Sequence, residues 1–60
     1  MKGKFSKRDR VTVLQGVYVG KRGVVEEIAE GVLRSIGVSL EGISPMLVWF
    51  VPDEIEKAGE

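Results

Sequence analysis

The sequence predicts an all-β domain: five short strands wrapped into a small barrel, with one short 3-10 turn before the last strand. Three observations predict it. β-Branched and aliphatic residues gather in short runs that recur at roughly ten-residue spacing, the rhythm of small sheets. Glycine, serine and proline punctuate the gaps between those runs. No segment carries the stripe of an amphipathic helix longer than two turns.

The elements follow in order. Residues 1–8 are polar and basic, with Phe5 their one large apolar side chain, and read as a flexible basic arm whose Phe5 tucks against the barrel. Residues 10–14 alternate, so Val11 and Val13 face inward. Residues 15–23 hold Gly16, Gly20 and Gly23, which supply positive φ angles and close backbone approaches in a curled loop. Residues 24–29 form the second strand. A bulge near Glu26 and Glu27 is needed to put both Val25 and Ile28 in the core. Glu30 and Gly31 turn the chain into a third strand over residues 33–40, with Leu33, Ile36, Val38 and Leu40 apolar and Gly37 at a kink or close contact. Residues 41–45 are a turn built on Gly42, Ser44 and Pro45. Residues 46–51 are the fourth strand. Pro52 then opens a single helical turn whose acids, Asp53 and Glu54, suit its N-terminal end. Residues 55–58 close the sheet. The order describes an SH3-like barrel over residues 9–58, and closure removes exposed strand edges.

Size and composition exclude several functions. Sixty residues make one domain with a thin stability margin. There is no cysteine and no histidine, which removes disulfides, thiolate metal sites and the commonest general base. No metal and no cofactor are expected. The longest apolar run, residues 46–52, is too short for a membrane span of about 20 residues, and no secretory signal is evident. A cytoplasmic location fits that composition.

The net charge is zero but segregated. Residues 1–22 hold seven basic residues against Asp9 alone, a net +6; residues 23–60 hold two basic and eight acidic residues, a net −6. A chain divided in this way presents one basic face without being basic overall.

Arg8-Asp9-Arg10-Val11-Thr12-Val13, then Gly16, Gly20 and Gly23, then Val24-Val25-Glu26-Glu27-Ile28, resemble a KOW motif. The string from Gly23 to Ile28 is especially similar to the KOW barrel at the C-terminus of the transcription factor NusG, and several ribosomal proteins carry the same motif. The resemblance implies an SH3-like barrel that binds RNA, the ribosome or RNA polymerase partners.

The candidate contact residues are few. Lys7, Arg8, Arg10, Lys21 and Arg22 form a cationic set suited to phosphates, which demand charge and reach without sequence choice. Tyr18 lies in the same loop and either packs across the barrel mouth or stacks on a base. Trp49 and Phe50 are strand neighbours that point to opposite faces. Phe50 with Val48 is assigned to the core, leaving Trp49 as a partner contact or as a ring capped by Phe5. Glu26, Glu27 and Glu30 read as solvated carboxylates, since acid–base catalysis needs a cleft and a displaced pKa. The sequence therefore predicts a non-catalytic module that contacts RNA or a ribonucleoprotein through a basic loop and arm. The alternative is a protein-interaction or assembly module. No small-molecule substrate and no membrane partner is indicated.

Overall fold

A computed structural model describes residues 5–31 and 33–58. Five antiparallel strands form one sheet: β1 (Arg10–Val13), β2 (Arg22–Ile28), β3 (Ile36–Leu40), β4 (Leu47–Phe50) and β5 (Ile55–Lys57). The sheet order is β4-β3-β2-β1-β5, and a 3-10 turn at Pro52–Glu54 joins the two edge strands. This is the all-β class expected, with the elements in the expected order along the chain. The hydrogen-bonded ladder does not close, because β4 and β5 are its edges and do not pair with each other. Side chains span that gap instead: Phe50 of β4 and Ile55 of β5 meet in one core.

That core consists of Val11, Val13, Val25, Ile36, Val38, Leu40, Phe50 and Ile55. No polar or charged side chain is buried among the described residues. Alternation explains the membership. On β1, Val11 and Val13 turn inward while Arg10 and Thr12 face out; on β2, Gly23 and Val25 turn inward while Arg22 and Val24 face out. The expected bulge lies between Val25 and Glu27, where the β2–β3 register shifts.

Several expectations are corrected. Ile28 keeps the inward register, opposite Ile36, but it is 37% exposed rather than buried. The β1–β2 register covers β2 only as far as Val24, so nothing from β1 shields the far end of that strand. The third strand starts at Ile36, not at residue 33, and Leu33 is 83% exposed. Residues 33–35 precede β3, and the Ser35 carbonyl accepts a hydrogen bond from the Ala29 amide at 2.8 Å. Gly23 belongs to β2, and only Gly16 and Gly20 give the loop its positive φ angles, +97° and +90°. Gly23 is required for a different reason: an added Cβ would sit 2.5 Å from the Ser39 carbonyl oxygen.

The basic segment before β1 includes Lys2 and Lys4, which lie outside the described residues. From Phe5 onward the chain is tied down. Phe5 packs against the core, Asp9 accepts a hydrogen bond from the Ser6 amide at 2.8 Å, and the Arg8 amide donates to the Val25 carbonyl at 2.8 Å. Arg8 takes φ 78°, a left-handed conformation unusual for a side-chain-bearing residue.

Candidate nucleic-acid interface

The register brings Arg10 and Arg22 together. Arg10 is opposite Val24 and Thr12 is opposite Arg22, so the two arginines are diagonal neighbours on the outer face of adjacent strands. Such diagonal positions are about 7–8 Å apart. Both are exposed, and neither has an acidic side chain within salt-bridge distance among the described residues. They share a depression of about 480 Å³ with Val24, Ser39, Ser44 and Glu41.

The other sequence-predicted residues fall around this pair unevenly. Lys21 immediately precedes β2 and is exposed. Its amide donates to the Tyr18 carbonyl at 3.0 Å, and its carbonyl accepts from the Val13 amide at 2.9 Å, so the loop base is fixed. Lys7 and Arg8 are exposed in the turn before Asp9. Tyr18 is half-buried and packs against the core, which favours its packing role over stacking. Its neighbours Val17 and Val19 are exposed apolar residues of that loop, Val17 at 89%.

Trp49 lies elsewhere, on the outer face of edge strand β4 and opposite Gly37. It remains 37% exposed. Phe5 does not cap it: Phe5 lines a groove of about 390 Å³ with Leu14, Pro52, Ile55 and Lys57, beside the other edge of the sheet. There the Lys57 ammonium stands 6.0 Å from the Phe5 ring centre and 3.7 Å from the Asp9 carboxylate. This cation is therefore engaged locally rather than added to the Arg10–Arg22 pair.

The sequence reading missed the outer-face partners Val24, Ser39 and Leu47, which form one row with Arg10 across the sheet. Alternation on each strand contains that signal, but only the register aligns the strands. It also missed the link between Arg34 and Glu54, which ties the β2–β3 connection to the 3-10 turn. Glu54 further accepts a hydrogen bond from the Val51 amide at 3.2 Å. That backbone bond is the largest influence; together with the Arg34 guanidinium it outweighs desolvation and holds the Glu54 carboxyl below its ordinary pKa.

Among the described residues no group of three or more acidic, cysteine or histidine side chains is placed to hold a metal, and no helix is long and apolar enough to cross a membrane. No family model matches the chain, and no curated protein matches it significantly.

Proposed function

We propose that this chain is a non-catalytic module that contacts nucleic acid, alone or within a ribonucleoprotein, through the Arg10–Arg22 corner of its outer face. One observation supports this reading most: two exposed arginines with no salt-bridge partner among the described residues are diagonal neighbours on adjacent strands, and Lys21 directly precedes Arg22. Guanidinium groups in that arrangement suit phosphate oxygens, which accept two parallel hydrogen bonds. Positions held on strands lose less freedom on binding than positions in a loose arm.

The test is binding of short RNA and DNA as salt rises. Each phosphate contact to a single strand adds about 0.7 to the slope of log K against log salt. The combined Arg10→Gln and Arg22→Gln variant should lower that slope by about 1.4 and weaken binding to every sequence alike. An unchanged slope removes this corner from the interface.

A second reading, contact with a protein partner, is favoured by a different region. Leu14, Val17 and Val19 are exposed, and Leu14 continues into the groove lined by Phe5, Pro52 and Ile55. Neighbouring exposed apolar side chains of this kind mark interaction surfaces. A defined protein partner retained after nuclease treatment, and lost in a Val17→Ser and Val19→Ser variant, would support it.

A further inference from the structure

Trp49 is placed unusually for a surface aromatic. An ideal Cβ built on Gly37 would lie 3.0 Å from both Cη2 and Cζ2 of the indole and 3.2 Å from Cε2. Three consecutive ring atoms are thus nearly equidistant from one point. A point in the ring plane beyond Cζ2 would be clearly farther from the two neighbours of that atom. The indole therefore lies with a face against the Gly37 backbone. One face is covered by the sheet, and the residue remains 37% exposed. Glycine is what permits this seat, since any side chain at position 37 would lift the ring.

The surroundings continue the surface. Glu27, Gly37 and Trp49 form one cross-strand row, and Arg10, Val24, Ser39 and Leu47 form the next. Val24 and Leu47 are half-buried on either side of Ser39, so a low floor of two apolar side chains and one hydroxyl lies between the indole and the arginines. From β1 to β4 there are three strand spacings, about 14 Å along the sheet, which is a few nucleotides of single strand.

We propose that Trp49 is a stacking platform for one unpaired nucleobase, and that a single-stranded nucleic acid crosses the outer face from Trp49 to Arg10 and Arg22. This deepens the nucleic-acid reading above and rests on it. Flat aromatics on a sheet bind bases through their π faces, while guanidinium groups hold the backbone. A duplex cannot use the platform, because its bases are already stacked and paired. Glu27, at the other end of the indole's row, accepts hydrogen bonds only. It favours a base edge that carries an amino group, as on adenine or cytosine, over uracil.

The chain's single tryptophan provides the assay. Short oligoadenylate, oligouridylate and an RNA duplex are titrated at low salt while Trp49 emission is followed, with a labelled oligonucleotide measured in parallel by anisotropy. Single strands should change the emission and the duplex should not, with oligoadenylate tighter than oligouridylate. Trp49→Ala should weaken single-strand binding about 5- to 150-fold, and Trp49→Phe should recover most of it. Gly37→Ala keeps every ligand-contacting group but tilts the ring, and should lose several-fold; it decides the question if Trp49→Ala does not fold. Oligonucleotide binding without a change in Trp49 emission, or duplex binding equal to single-strand binding, overturns the platform and leaves the arginine corner standing. No binding of any oligonucleotide at low salt overturns both.

Discussion

Gly23→Ala tests whether this glycine serves the loop or the sheet. Alanine adds one Cβ, which would sit 2.5 Å from the Ser39 carbonyl oxygen, 2.7 Å from Val38 Cγ1 and 2.9 Å from Leu40 Cδ2. None of the three can yield easily. Ser39 is backbone within the β2–β3 ladder, and Val38 and Leu40 are fully buried core side chains. Overpacking of this kind costs about 1–3 kcal/mol, with backbone clashes at the upper end. Loss of freedom in the unfolded chain returns about 0.4–1 kcal/mol. A net loss of about 2 kcal/mol follows. Total stability at this length is roughly 3–9 kcal/mol, so the midpoint of thermal unfolding should fall by about 8–16 °C. Urea and thermal unfolding followed by Trp49 emission and far-ultraviolet circular dichroism measure it. Gly16 provides the contrast, because its φ is +97° and a Cβ there would meet nothing within 4 Å. Gly16→Ala should cost about 1 kcal/mol, and Gly16→Asn should cost less because asparagine tolerates the left-handed region. Asparagine at position 23 should be worse than alanine. A Gly23→Ala loss below about 0.5 kcal/mol, or an asparagine rescue at position 23, would refute the close-approach reasoning.

Three other outcomes follow from the packing and the charge pairs. Leu40→Ala empties a fully buried site and should cost about 2–5 kcal/mol in urea unfolding, enough to leave the domain marginal or unfolded. Leu33→Lys, at an 83% exposed position, should stay within about 0.5 kcal/mol of the parent in the same assay. Because the native Glu54 pKa is lowered below the ordinary carboxyl value of 4.5, this group contributes stability above pH 4.5 and loses it as pH falls through the native value. Acid unfolding of Glu54→Gln should lack that component, while the two proteins respond alike between pH 6 and pH 8.

The inside of this domain was legible because burial imposes a period. Val11, Val38 and Leu40 each sit between polar or smaller residues, and a two-residue repeat in β-branched sequence has one physical reading. The bulge at the glutamates was legible for the same reason, since Val25 and Ile28 conflict with strict alternation. Ile28 and Leu33 were misassigned because hydrophobicity reports a preference for burial, not a neighbour to provide it. The outside was much less legible. Arg10 and Arg22 are twelve positions apart, and Gly37 and Trp49 are too. Only the register makes each pair adjacent. Gly23 shows the same limit at one residue, for its letter is that of a loop glycine and its requirement comes from Ser39.

The register also changes the meaning of the charge segregation. A chain with +6 in its first 22 residues and −6 in the rest suggests a broad basic face. The sheet interleaves the two halves instead. β1 lies between β2 and β5, which sets Thr12 between Arg22 and Glu56, and Lys57 pairs with Asp9. Glu41 borders the depression that holds Arg10 and Arg22. The cationic region is therefore local, and suited to about two to four phosphates. Contacts of that number give a salt slope of about −1.4 to −2.8 for a single strand, so raising salt fourfold weakens binding about 7- to 50-fold. Stacking on Trp49 is a contact that salt screens little. The two contributions should consequently separate: salt should erode the arginine part while the fold-loss from Trp49→Ala stays nearly constant across the titration. If that loss shrinks in step with rising salt, Trp49 acts by positioning the charged strand, and stacking is not an independent source of affinity.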